Sequence, residues 1–273
     1  RKCGYLLRAG ARVEVELPAV VPLAVEPEAV PLAVLYEDAH LLALDKPAGM
    51  VVHPAPGARR GTLVHALAHR LGALDGVGDP ERPGIVHRLD RETSGVLLVA
   101  RNAVAHEHLA RQFRERSIEK RYLALVRGRL EPESGTIDRP IGRHPRERKR
   151  MSTRSRRGRP AVTHWCVLER FPGSTLVRLA PETGRTHQLR VHLAALSHPV
   201  LGDAVYGARR GGRVGAPGVT LARHALHAEV IRFTHPATGD RMMVRAPLPE
   251  DLDQVLAALR QTSGTLGKSP RLS

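Results

Sequence analysis

The chain has 273 residues, 42% of them hydrophobic, enough to bury a substantial core and too apolar for a disordered chain. Lys and Arg outnumber Asp and Glu by 43 to 27, a formal charge of +16, so the expected partner is a polyanion, nucleic acid foremost. Its 2 cysteines lack CxxC spacing, which excludes a disulfide framework or thiolate metal site, and no apolar run reaches the roughly 18 residues needed to span a bilayer. A cytoplasmic protein without membrane association is expected.

The chain opens on Arg1 without a cap or initiating element, so a longer natural chain is expected upstream. Arg12 to Leu17 alternates as RVEVEL, a strand pattern, and the proline-rich stretch that follows reads as a linker. This divides the chain into residues 1–20, a linker over 21–33, a main domain over 34–260 and a polar, basic tail over 261–273, expected to be disordered. Within the main domain, VLYEDAHLLALDKPAGMVVH predicts short strands, and Thr62 to Leu71 a helix. A strand over Val96 to Ala100, a helix from about Asn102 to Arg116 and a strand at KRYLALVRG come next. Further strands are predicted near Thr163–Glu169, Ser174–Ala180, Leu226–Phe233 and Met242–Arg245. A short helix from about Thr186 to Leu196 and a closing helix over Asp251 to Arg260 complete the set. Strands in neighbouring pairs predict an α+β domain: a central mixed, largely antiparallel sheet flanked by helices.

Arg143 to Arg159 gathers nine Arg and Lys residues around Glu147, with few apolar residues between them. It reads as a mobile arm that contacts phosphates through residues such as Arg146, Lys149, Arg150 and Arg154; the alternative is a solvated loop between two strands.

Two segments carry the chemistry. In His87-Arg88-Leu89-Asp90-Arg91-Glu92-Thr93-Ser94-Gly95, a turn between apolar strands sets a carboxylate between two arginines, either as a catalytic acid group or as a structural ion pair. In Glu182-Thr183-Gly184-Arg185-Thr186-His187-Gln188-Leu189-Arg190, a Gly-Arg turn opens a helix that Thr186 could cap. His187 and His192 fall about 140° apart on such a helix, so no metal is expected there.

Taken together and in order, HRLDRETSG, EKRYLALV and TGRTHQLRVHLA, with the looser DKPAGMVVHP, GTLVHAL, HPVLGDAVYG, ALHA and APLPEDL, resemble the RluA-type pseudouridine synthases, the RluD-like members above all. The likeness runs from Val34 to Leu252. It implies isomerisation of uridine to pseudouridine in a structured RNA, large-subunit ribosomal RNA before tRNA, by a monomer that uses no cofactor. It also implies that residues 1–20 are the end of a small RNA-binding module. By the same resemblance Asp90 is the catalytic aspartate, Tyr122 lies against the uracil and takes the C5 proton, and Arg185 pairs with Asp90. Arg88 fills the space the flipped base vacates, and Arg91, Gln188 and Arg190 contact RNA. Two rivals stand beside this reading: a noncatalytic RNA-binding or ribosome-assembly protein, and a glycoside or nucleoside hydrolase with Glu92 as second carboxylate.

Overall fold

A computed structural model describes residues 10, 12, 26–54, 57–72, 74, 76–147, 150–207 and 221–266. The strand expected at Arg12–Leu17 and the contact expected from Lys149 fall outside them. In chain order the elements are β1 (Ala33–Glu37), β2 (Leu41–Lys46), α1 (Leu63–Leu71), β3 (Ser94–Ala100), α2 (Ala103–Glu115), β4 (Glu119–Arg127), β5 (Ser134–Asp138), β6 (Gly142–Arg143), β7 (Met151–Ser152), β8 (Val162–Phe171), β9 (Ser174–Pro181), α3 (Gln188–Ala195), β10 (Leu226–Thr234), β11 (Arg241–Arg245) and α4 (Glu250–Leu266).

Nine strands form one sheet in the order β1-β2-β3-β10-β4-β9-β8-β5, with β11 on β10. Its pairs are antiparallel except β3–β10, so the expected mixed, largely antiparallel sheet is present. The apolar run SGVLLVA explains why β3 sits inside this sheet: all seven of its residues are buried. Val96, Leu98 and Ala100 join Leu41 and Ala43 of β2 and Leu109 of α2 in one cluster. Leu97 and Val99 join Leu42, Leu44 and Leu63 and Leu67 of α1 in another. A strand with helices over both faces has no polar side to show, hence the unbroken hydrophobic sequence. A third cluster unites β4 and β9 with α3 and α4 through Leu125, Val177, Leu193, Leu252 and Leu256.

Local signals fix the helix ends. Asn102 accepts a 2.9 Å hydrogen bond from the Ala105 amide and so caps α2, which closes at Arg116 in the left-handed conformation, φ 61°. Two expectations are corrected here. α4 runs to Leu266, so the expected tail beyond Arg260 begins as helix. The basic segment is not a loose arm among its described residues: β6 and β7 pair as a two-stranded ribbon, Gly142 with Ser152 and Arg143 with Met151. Ile141 and Met151 pack that ribbon against Val191 of α3.

Candidate active site

The loop 87–93 delivers Asp90 just before β3, and it is tied down from several directions. The fully buried Lys46 ammonium donates to the carbonyls of Pro47 at 2.7 Å, Met50 at 3.0 Å and Arg91 at 3.1 Å. Burial pushes the Lys46 pKa down to about 8, against the pull of Glu92. Arg223 reaches the Glu92 carbonyl at 3.1 Å, Thr93 pairs with His224 at 2.9 Å, and Ser94 pairs with His227 at 3.0 Å. Burial, with Arg190 nearby, lowers His224 to about 4, so it is neutral. His87 accepts the Leu98 amide at 2.9 Å and stacks on Phe113; burial, then Lys120, hold it near 3. A histidine so held supports the loop and does not shuttle protons at neutral pH.

Asp90 faces a second element across an open cavity of about 120 Å³. Its carboxylate accepts a 2.9 Å bond from Arg190 Nη1. The same guanidinium grips Asp203 along its remaining edge, Nε to Oδ2 at 2.7 Å and Nη2 to Oδ1 at 2.9 Å. Arg190 is therefore the partner of Asp90, and the expected pairing with Arg185 is corrected. The reason is helix phase. α3 starts at Gln188, not near Thr186, because His187 takes a left-handed conformation, φ 55°, and stands as its N-cap. Arg185 is left in the turn, its Nε spent on the Pro160 carbonyl at 3.1 Å, although it still lines the cavity.

Burial alone would drive charge off this network. On Arg190 burial disfavours the cation, but Asp203 and then Asp90 outweigh it and raise the pKa. On Asp203 burial acts upward, yet the Arg190 hydrogen bond and charge and the Tyr206 and Val205 amides hold the carboxyl below its ordinary range. A fully buried acid thus locks the arginine, and the arginine points at the one carboxylate that keeps partial exposure, 21% for Asp90 against 0% for Asp203. Tyr206 adds a second brace. Its ring lies 5.2 Å beneath the Arg190 guanidinium, and its hydroxyl pairs with His187 Nδ1 at 2.8 Å while accepting the Met151 amide at 2.8 Å.

Tyr122, on β4 opposite Ala228 and Leu179, lines the cavity with Asp90, Leu89 and Leu226. Burial, then the charge of Asp90, raise its pKa, so the phenol is protonated before substrate arrives.

Two expected RNA contacts are corrected. Gln188 is buried, donating to Val162 O and Thr163 and accepting from Thr183 and the Arg185 amide, so its amide folds the turn. Arg190 is 6% exposed and committed to two carboxylates. Arg88 is exposed at the cavity mouth, and Arg91 pairs with Glu92 at 3.3 Å and with the Gly49 carbonyl. On the ribbon, Arg146 and Arg154 are exposed, whereas Arg150 pairs with Glu147 and lies over Tyr206 at 5.5 Å. Sequence reasoning gave no role to Lys46, Asp203, Tyr206 or His224, although Lys46 stands in the matched DKPAG, Asp203 and Tyr206 in the matched GDAVYG, and His224 just before the matched ALHA. The signal available was a charged or aromatic residue inside a matched apolar setting.

Residues 40–195 match the family described as RNA pseudouridylate synthase. Ribosomal large subunit pseudouridine synthase D of Xanthomonas campestris pv. campestris is 45% identical over 97% of this chain and 80% of its own length. An uncharacterized RNA pseudouridine synthase, YlyB, of Bacillus subtilis is 44% identical over 95% of this chain and 83% of its own. Among solved structures, human RNA pseudouridylate synthase domain containing 1 superposes with a TM-score of 0.65 at 32% identity, covering 90% of this chain and 98% of that one.

Proposed function

Because this chain belongs to the RNA pseudouridylate synthases of the RluA type, RluD-like enzymes that isomerise uridine to pseudouridine within RNA, we propose that its substrate is large-subunit ribosomal RNA and that Asp90 opens the glycosidic bond. The observation that carries the second part is the Asp203–Arg190–Asp90 chain of charges ending at a cavity beside Tyr122. The first part rests on relatives named for the ribosomal large subunit in Xanthomonas campestris and Nitrosomonas europaea.

A stacked uridine cannot reach Asp90, so the nucleotide turns out of the helix at a cost of a few kcal/mol. Exposed Arg88, beside the cavity, fills the gap. Arg190 fixes the Asp90 carboxylate in one orientation, which lowers the reorganisation needed for the first step. The N1–C1′ bond breaks, the base rotates within the cavity, and C5 bonds to C1′. The C5 proton must then leave. Tyr122 is protonated at rest, so it takes that proton only as its own passes on to N1 of the reattached base, which ends as N–H, and the isomerisation releases no proton. No electrons are exchanged, and water is neither consumed nor released.

The ribbon's exposed arginines draw the RNA in. The same reading makes the enzyme a cytoplasmic monomer; no described helix is long and apolar enough to cross a membrane. The test is incubation of wild type and Asp90→Asn with unmodified 23S ribosomal RNA and tRNA transcripts, followed by carbodiimide labelling and primer extension. Stops on the ribosomal transcript with wild type alone are expected. Stops on tRNA alone would overturn the substrate, and tight binding without stops on either would favour a noncatalytic binding protein.

A further inference from the structure

Beside the Asp90 cavity lies a larger hollow, about 500 Å³, that shares Arg88, Tyr122, Thr183 and Arg185 with it. Its outer wall is the junction of α2 and β4. There Arg116 ends the helix in a left-handed turn, and the chain re-enters the sheet so that Arg114, Arg116 and Lys120 all line the hollow. Arg159, at the base of the ribbon, lines the hollow as well. The acid in the lining, Glu182, is already paired with His164 at 2.7 Å. Among the described residues none of Arg114, Arg116, Lys120 and Arg159 is joined to a carboxylate, unlike Arg170, Arg223 and Arg260 elsewhere on the molecule.

Such a gathering of cations is unfavourable in the free protein. Burial and then Arg116 lower Lys120 to about 8, and burial, Arg159 and Arg116 lower Arg185. Cations held together at that cost lack an anion. A single small anion would leave most of the hollow empty, and the wall shared with the Asp90 cavity puts it directly in the path of a strand whose uridine has entered that cavity.

We propose that this hollow is a phosphodiester subsite: Lys120, Arg116 and Arg185 hold the RNA backbone immediately flanking the flipped uridine, Arg114 and Arg159 guiding the strand at the rim. The inference rests on the enzyme acting on RNA, as argued above. Its function is to convert backbone binding into extrusion, because phosphates pulled into the hollow draw the intervening base from its stack.

The test is ethylation interference on a 23S ribosomal RNA transcript, with wild type and with Lys120→Met, whose unbranched side chain is one atom shorter and carries no charge. For wild type, ethylating the phosphates within about two nucleotides of the modified uridine should block binding, and Lys120→Met should erase that local interference while leaving distant sites intact. Affinity should fall about tenfold, with a salt slope shallower by roughly one phosphate contact. Arg114→Gln with Arg116→Asn, both at exposed positions, repeats the test without touching buried side chains should Lys120→Met fold poorly. Local interference unchanged in both variants overturns the subsite while leaving the enzyme assignment standing. Absence of pseudouridine with wild type overturns the enzyme assignment, and the subsite with it.

Discussion

Arg190 and the ribbon arginines are the same residue type under opposite physics. Arg190 is buried, makes three hydrogen bonds to two carboxylates and lies over an aromatic ring, so its value is geometric. Arg146, Arg154, Arg156 and Arg157 stand in solvent on a hairpin, where their value is long-range attraction. On the function proposed, the contrast separates catalysis from capture. Damage to the first region should strike turnover and stability; damage to the second should strike affinity and its salt dependence.

The largest effect is expected at the exposed end of the buried network. Asp90→Asn should lower turnover at least about a thousand-fold while leaving RNA affinity within about threefold, measured by single-turnover kinetics and filter binding. Substantial residual turnover would remove Asp90 from the chemistry.

Next comes Arg190→Gln, which leaves Asp203 buried without its cation. Breaking a buried pair in this way costs about 3–5 kcal/mol, to be seen as a lower urea midpoint alongside a turnover loss of about a hundredfold. Arg190→Lys should not rescue it, since an ammonium cannot grip Asp203 along one edge and reach Asp90 as well. Arg185→Gln should cost less than tenfold in turnover. A reversed ranking of the two arginines would restore the pairing that the sequence suggested.

Neutralising Arg146, Arg154, Arg156 and Arg157 together should leave saturated turnover unchanged. It should weaken binding about tenfold or more at 0.1 M salt and flatten the salt slope. An unchanged slope would make the ribbon a solvated structural element.

The smallest effect on turnover at neutral pH is expected at His87 and His224, which act on stability in acid. His87 and His224 have folded pKa values near 3 and 4, well below the 6.5 of an unfolded histidine. The unfolded chain therefore binds protons that the folded one refuses. Stability from these two groups is complete above about pH 6.5, falls as pH drops toward 4, and is lost once pH passes below about 3. Between pH 6 and 4.5 the slope should approach about 2.7 kcal/mol per pH unit from the pair, and His224→Asn should roughly halve that share.

The sequence exposed what depended on local pattern. The buried run at β3, the span of α2, the antiparallel pairs and the Asp90 turn could all be read because periodicity and the apolar-to-polar switch act over a few residues. The choice between Arg185 and Arg190 could not, because it hangs on one backbone angle: His187 adopts a left-handed conformation and delays α3, with its side chain braced by Tyr206, distant in sequence. Gln188 was expected to contact RNA, yet its partners Val162 and Thr163 stand on β8, distant in sequence, and turn its amide inward. The β6–β7 ribbon escaped notice because two-residue strands carry no usable alternation, and the end of α4 because Thr-Ser-Gly-Thr has weak helix propensity.

The parallel junction of β3 and β10 pairs Ser94 with His227 and Gly95 with Ala228, and a side chain on Gly95 would collide with the Ala228 carbonyl. The loop that carries Asp90 is thus fastened by Arg223, His224 and His227, which leave the ribosome more than a hundred residues after it. A nascent chain holds Asp90 early but not the clasp that shapes its loop. Because β10 lies between β3 and β4, the Asp90 loop gains its full set of ties only once the later part of the chain has joined the sheet.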